Sequence, residues 1–199
     1  MVQRGMPPAR RDDTANRILD VAERFVQVHG FNGFSYADIS AKVRIRKASL
    51  HYHFPTKAGL GVALVARYQA AFLDALADID RGGGDARSKL ASYVELYASV
   101  LRRRRMCLCG MLAADFETLP KPMRDSVTAF FDANEAWLAR VLETGRKTGA
   151  LAFRGSPADR AAFLVSSLEG AMLIARSYRD VRRFDGAVKR LLSDILPTP

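Results

Sequence analysis

The stretch Ser35-Tyr36-Ala37-Asp38-Ile39-Ser40-Ala41-Lys42-Val43-Arg44-Ile45-Arg46-Lys47-Ala48-Ser49-Leu50-His51-Tyr52-His53-Phe54 reads as two short helices joined by a basic turn. That geometry seats one helix in the major groove of a DNA duplex. Ile39 and Val43 lie one helical turn apart and can pack on Leu50 and Phe54, which predicts a second helix held by its apolar side. Arg46, Lys47, Ser49, His51 and Tyr52 are then left to meet an outside partner. Cations, hydroxyls and an aromatic ring on one short helix suit phosphate oxygens and base edges. An ordinary helical hairpin with a solvated basic face fits the same residues, because such pairs also occur away from DNA.

The flanks favour the DNA reading. Phe54-Pro55-Thr56-Lys57 ends one helix and opens the next, since proline cannot continue the first and Thr56 can cap the second. Upstream, Gly30-Phe31-Asn32-Gly33-Phe34-Ser35 closes a helix predicted from about Thr14 to Val28. The arrangement resembles the DNA-binding domain of the TetR family of bacterial repressors. Gly30-Phe31, Ser35, Asp38-Ile39, Lys47, Ser49-Leu50, His51-Tyr52-His53-Phe54-Pro55 and Lys57 carry that resemblance. It is detailed over residues 14 to 60 and rests elsewhere on length and helical pattern.

Departures from the family pattern make the turn more basic than usual. Arg44 stands where the family has a turn glycine, so this position takes its conformation at a steric cost or the turn changes shape. Arg46 replaces a capping serine, Ala48 a glycine, and Gly59 removes the reciprocal carboxylate of a capping box after Thr56. The expected DNA-binding set is Ser35, Tyr36, Arg44, Arg46, Lys47, Ser49, His51, Tyr52 and Lys57. Within it Arg46, Lys47 and Ser49 are expected to contact DNA from the second helix and its approach. His51 and Tyr52 are expected at phosphate or thymine methyls, and Ser35, Tyr36 and Lys57 at the backbone. For Tyr52, packing of the ring within the head is an equal alternative.

Charge agrees with a nucleic-acid partner. The 199 residues carry a net charge of +10, and residues 1 to 60 hold 10 basic against 5 acidic side chains, so basic density is highest in the head. Acidic lipid and RNA also attract such a chain; the helix-turn-helix reading favours duplex DNA. No apolar run approaches the roughly 20 residues that cross a bilayer, and Met1 to Asp13 lacks the apolar core of a signal peptide. The expectation is a cytoplasmic protein with no membrane partner. Arg4, Arg10 and Arg11 in segment 1–13 suit either a loose DNA-touching arm or a solvated tail, the latter being favoured.

Beyond residue 56 the periodicity is helical nearly throughout. A long helix carrying Leu60, Leu64, Tyr68, Phe72, Leu76 and Ile79 is broken by Gly82-Gly83-Gly84. Asp85 caps the next, whose end holds Arg102 to Arg105, where cations suit the helix dipole. A short helix is predicted from about Leu108 to Glu117, a long one from Pro122 to near Gly149, another from Ser156-Pro157 to about Ser177, and a last from Asp185 to Leu196. The fold class is therefore all-α, with about nine helices. A helix-turn-helix head, residues 14–60, would precede a ligand-sensing and dimerisation body, residues 61–199.

The resemblance implies a homodimer built on the last two helices, residues 157 to 196, with Phe163, Ser166, Ser167, Gly170 and Ala171 at the interface. Twofold symmetry would place two reading helices about 34 to 36 Å apart, the spacing of successive major grooves on one duplex face. The resemblance also implies a small-molecule pocket between the middle helices, with Tyr93, Tyr97, Met111, Phe116, Phe130, Phe131, Trp137 and Met172 as candidate lining. Plain core packing explains each of these residues singly.

Cys107 follows four arginines near the start of a short helix, two settings that lower a thiol's pKa. The segment Cys107-Leu108-Cys109-Gly110 is similar to that of a TetR subgroup that includes electrophile-sensing repressors. Cys107 is accordingly the candidate sensor of an electrophile or oxidant and Cys109 an inert buried neighbour, although two small packing residues account for the pair more simply. The spacing fits neither a disulfide framework nor zinc. With no HExxH, phosphate loop or nucleophile elbow, and with His51 and His53 facing different sides, neither catalytic residues nor a metal or cofactor is expected. The expected function is a DNA-binding regulator released from a palindromic operator by a small molecule or by modification of Cys107. A non-specific chromatin-like binder and a small-molecule carrier are the rivals. Repression rather than activation follows from the resemblance alone.

Overall fold

The structure, a computed structural model, describes residues 8 to 196; Arg4 lies outside them, as do the side chains of Arg10 and Arg11. Among the described residues there are nine α-helices, one 3-10 turn and no strand. The first helix, α1 (Pro8–His29), begins six residues before the sequence pattern suggested, so residues 8 to 13 continue it. Proline is compatible with a helix's first turn, and nothing downstream of Pro8 breaks the helix.

α2 (Tyr36–Val43) packs on α1, and α3 (Lys47–His53) packs on α2, to form the head. Their apolar sides meet as expected, with Ile39, Val43 and Leu50 buried together with Ile18, Val26 and Phe31. Thr56 caps α4 (Lys57–Arg81) by accepting from the Gly59 amide at 3.0 Å. α4 runs from the head into the body without a break.

The absence of a bilayer-length apolar helix, expected from the sequence, does not hold for α4, which is long and apolar enough by composition. Its context argues against a span. Arg67 lies midway along it and bonds Asp20 and Glu23 of α1 at 2.7 and 2.8 Å, while Leu60, Leu64, Val65 and Leu76 are buried in the protein core.

Asp85 caps α5 (Ala86–Arg102) through the Ser88 amide at 2.9 Å. α6 (Leu108–Ala114) is shorter than predicted, because Asp115 leaves the helix and accepts from the Phe31 amide, 84 residues away, at 2.8 Å. A 3-10 turn, Phe116–Thr118, leads to α7 (Lys121–Lys147), the central helix, which packs on α4, α5, α6 and α8. Ser156 caps α8 (Pro157–Ser177) through the Asp159 amide at 3.0 Å, and α9 (Arg182–Ser193) packs along α8. α9 starts three residues before Asp185.

Inside the body, Asn134 is fully buried and holds two hydroxyls: Tyr93 donates to its Oδ1 at 2.7 Å, and its Nδ2 donates to Tyr97 at 2.8 Å. The network fixes α5 against α7 with its polar atoms satisfied, which is what buried polar groups require.

Candidate nucleic-acid interface and effector cavity

Ser35 caps α2 in a reciprocal box: its hydroxyl and amide both donate to Asp38 Oδ2, at 2.7 and 2.8 Å, and its oxygen faces the Asp38 amide at 3.4 Å. Those bonds hold the Asp38 carboxyl below the usual carboxylate range. Arg17 donates to Val43 O at the other end of the helix, 2.9 Å away. The turn then reverses through Arg44, at φ 61° and ψ 48°, so the arginine does take the left-handed conformation a glycine would occupy freely. An L-residue there costs about 1–2 kcal/mol, while glycine loses about 0.5–1 kcal/mol more conformational entropy on folding. Arg44→Gly is therefore expected to stabilise the protein by roughly 0.5–1 kcal/mol in urea unfolding; a loss of stability would show that the arginine side chain has a structural partner.

With Leu50 buried, α3 turns Lys47, His51 and Tyr52 outward, flanked by exposed Arg44 and Arg46 and half-buried Ser49. Tyr52 is 59% exposed, with its ring edge-on to His53 at 5.4 Å. Tyr36 and Lys57 are tied inward instead. The Tyr36 hydroxyl donates to Phe54 O at 2.9 Å, its ring lies 4.9 Å from that of His51, and burial raises its pKa to about 12. Lys57 donates to Phe34 O and sits over the Phe31 and Phe34 rings, 4.8 and 4.3 Å from their centres. Desolvation lowers its pKa against the opposing pull of Asp115 and Asp38. The two residues set the angle between α3, α4 and the loop before α2.

In the body, a cavity of about 290 Å³ opens between α4, α5 and α8. Tyr97 and Met172 line it, as does Cys107, together with Tyr68, Phe72, Val100 and Arg103, which the sequence placed on helix faces and ends but not in a pocket. Phe130 backs this wall, its ring 5.0 Å from that of Phe72, with Phe131 beyond it at 5.4 Å from Phe130. Tyr93 stacks on Trp137 at 5.5 Å, and Trp137 lines a separate cleft and donates to Asp80 at 2.9 Å. Met111 of α6 meets Arg176 of α8, and Phe116 lies under Arg124. These last residues do not line the cavity.

Cys107 is the N-cap of α6: its sulfur accepts from the Gly110 amide at 3.5 Å and from the Tyr68 hydroxyl at 3.9 Å. The lowered thiol pKa expected from the sequence is reversed. Burial pushes the Cys107 thiol well up, and the nearby Glu169 carboxylate and Cys109 thiol push it further. Of the arginines that suggested otherwise, Arg102 pairs with Glu95 and Arg104 turns the chain at φ 57°, while Arg103 shares the cavity wall with Cys107 but does not offset the burial of the thiol. Cys109 is fully buried with its thiol pKa also raised.

Sequence reasoning missed Glu169. Both of its carboxylate oxygens are sealed from solvent without a hydrogen-bond partner of normal geometry, and the group it interacts with most directly is the Cys107 thiol. Burial raises its pKa to about 7. One signal for it was available: an acid placed in register with the apolar stripe Ala161, Val165, Leu168 and Met172 of α8.

The cavity wall is wired to the head. Just before α6 the Met106 amide donates to Gln27 O of α1 at 3.1 Å, and just after it Asp115 holds the Phe31 amide. Asn32 donates to Thr118 at 2.8 Å, and Arg176 of α8 donates to Val28 O.

On the far side of α8, Phe163, Leu173, Ile174 and Tyr178 are exposed. Ser166 and Gly170 are exposed among them, Ser167 and Ala171 are half-buried, and a side chain added at Gly170 would meet open space. A groove lined by Phe163, Ser167, Ala171, Val188 and Leu191 runs between α8 and α9.

A profile of the bacterial regulatory proteins of the tetR family matches residues 18–64, and one of the tetracyclin repressor-like C-terminal domain matches residues 86–191. The HTH-type transcriptional repressor NemR of Escherichia coli is 26% identical over 191 residues, a match covering 94% of this chain and 96% of NemR. The crystal structure of its reduced form superposes with a TM-score of 0.81, covering 94% of this chain and 100% of that one. A TetR-family transcriptional regulator from Agrobacterium tumefaciens is 32% identical, with a TM-score of 0.91 over 94% of this chain and 100% of its own. A TetR regulator from Legionella pneumophila is 31% identical, with a TM-score of 0.83 over 97% of this chain and 100% of its own.

Proposed function

Because the chain belongs to the TetR family of bacterial regulators, and is a DNA-binding, ligand-responsive transcriptional repressor rather than an enzyme, we propose that it acts as a cytoplasmic homodimer on a palindromic operator. In this reading residues 14–60 form the reading head and residues 61–199 the sensing and dimerising body. The observation that carries the DNA assignment is the outward basic face of α3 and its turn, with Leu50 anchoring the opposite side. Arg44, Arg46, Lys47, Ser49, His51 and Tyr52 meet the duplex. Ser35 lies at the α2 N-terminus, where a phosphate is favoured, while Tyr36 and Lys57 orient the head through their internal bonds.

Lys47→Ala is expected to weaken operator binding by about 1–3 kcal/mol. If Lys47 touches phosphate, the loss is uniform across sequences and the salt slope falls by about 0.9; if it touches a base edge, preference relaxes at one position. Titrations of operator and scrambled duplex at several salt concentrations measure both. Unchanged affinity and slope would remove Lys47 from the contact set.

The effector enters the cavity bounded by Tyr68, Phe72, Tyr97, Met172 and Cys107, with Phe130 and Phe131 behind it and Tyr93, Trp137, Met111 and Phe116 supporting the surrounding core. A volume of about 290 Å³ is at the small end of ligand sites, so the effector is a small, mainly apolar molecule. Cys107 brings a thiol to that wall and is proposed as the point at which an electrophile is sensed. Binding or modification there favours the arrangement of α6 that does not fit DNA, and only such a difference between the two states can release the operator. The bonds from Met106 to α1 and from Asp115 to the loop that follows it are the route by which α6 moves the head.

A further inference from the structure

Resting on the reading of Cys107 as the reacting thiol, we propose that Glu169 is its general base, taking the thiol proton as sulfur adds to a small conjugated carbonyl compound held in the cavity. A free thiolate route is closed at Cys107. The thiol is buried, caps α6 through Gly110, and has an acid rather than a cation beside it, so the share ionised at neutral pH is far below that of an ordinary cysteine. A nucleophile in such a setting needs its proton removed during attack.

Glu169 is built for that task. Its oxygens are sealed and lack conventional partners, a condition that is costly unless the group has another use. Room for the carboxylate comes from Gly110, where an added Cβ would lie 2.2 Å from Glu169 Oε2. The titratable groups facing Glu169 are the Cys107 and Cys109 thiols at the start of α6 and the Tyr93 and Tyr97 hydroxyls of α5. Arg103, on the cavity rim, makes no ion pair with it. Glu169 therefore titrates near neutrality, where a base is half available and still strong enough to accept a proton.

In the step, the Cys107 S–H bond breaks and the proton passes to a Glu169 oxygen. The sulfur pair forms an S–C bond at the β-carbon while the C=C pair moves toward the carbonyl as an enolate. The proton then returns to the α-carbon, directly from Glu169 or through solvent. Thiol and enone combine into a thioether, Glu169 is restored, and no other reactant is consumed. Cys109 is fully buried and does not line the cavity, so the addition is specific to Cys107.

The test follows adduct formation at Cys107 by mass spectrometry, using the full chain and 2-cyclohexenone between about pH 5.5 and 9. In the unchanged protein the rate is expected to rise through about pH 7 and level off, following Glu169. Glu169→Gln is expected to lower the rate at pH 7.5 by about 10-fold or more and to replace the plateau with a rate that keeps climbing with pH, as thiol ionisation alone dictates. Gly110→Ala, which displaces the carboxylate without removing it, is expected to change the profile the same way. A Glu169→Gln protein that matches the unchanged one in rate and profile overturns the base while leaving Cys107 as the sensor. If Cys107 of the unchanged protein resists the enone at every pH, the sensor reading falls and the base with it.

Discussion

Replacing Ile174 with arginine is expected to leave the protein folded, make it monomeric and weaken operator binding by about 100-fold or more. Ile174 is 54% exposed, on the side of α8 opposite the buried Leu164, Leu168 and Met172, so a charged side chain at this position meets water in the isolated subunit and costs the fold little. In the proposed dimer the same charge would be buried against its twofold mate at two symmetric places, a penalty of several kcal/mol without a partner. Phe163, Leu173 and Tyr178 continue the apolar stripe, and Gly170 allows a second helix close approach. A monomer holds one half-site alone and loses the effective concentration that joins the two heads. Analytical ultracentrifugation with operator titration checks both halves. An Ile174→Arg protein that stays dimeric, or that binds the operator undiminished, would move the interface elsewhere.

Replacing Glu169 with glutamine is expected to stabilise the protein by about 3 kcal/mol more at pH 8 than at pH 4.5. Burial raises the folded pKa from 4.5 to about 7, so over this interval the folded state holds a proton that the unfolded chain releases. The stability contributed by the neutral acid is fully present below pH 4.5. It falls as pH rises toward 7 and stays lost above it. Glutamine has no such ionisation and is spared the penalty. Urea unfolding of both proteins at several pH values gives the difference, and one that does not vary with pH would mean that Glu169 ionises as easily folded as unfolded. The same side chain is thus expected to destabilise the resting protein and to accelerate the sensing step, a trade that functional sites commonly make.

The head was legible because each local signal stood close to what it controls. Ser35 and Asp38 cap α2 within one turn, Pro55 and Thr56 separate α3 from α4, and the spacing of Ile39, Val43 and Leu50 defines a buried side. The middle of the body was less so. Its helices follow the apolar periodicity, yet α6 ends early because Asp115 is drawn to an amide 84 residues away, a contact no local pattern encodes. The Cys107 thiol was misjudged for the same reason. Arg102 to Arg105 are near it in sequence, whereas what governs its proton is burial in the packed body and the Glu169 carboxylate that the fold brings to it from α8. Tyr68 and Phe72 lie on the α4 stripe and read as core; only the packing of α4 on α5 gives them a cavity to line.

The bonds from Met106 to α1 and from Asp115 to the loop after it clasp the two ends of α6 like a buckle. Reciprocity follows from that fastening. Any free energy by which an occupied cavity disfavours the operator must appear, equal in size, as resistance of the operator-bound protein to filling its cavity. Repressors not bound to DNA would thus take up the effector ahead of those seated on the operator, and the unseated pool would set how abruptly the gene switches on.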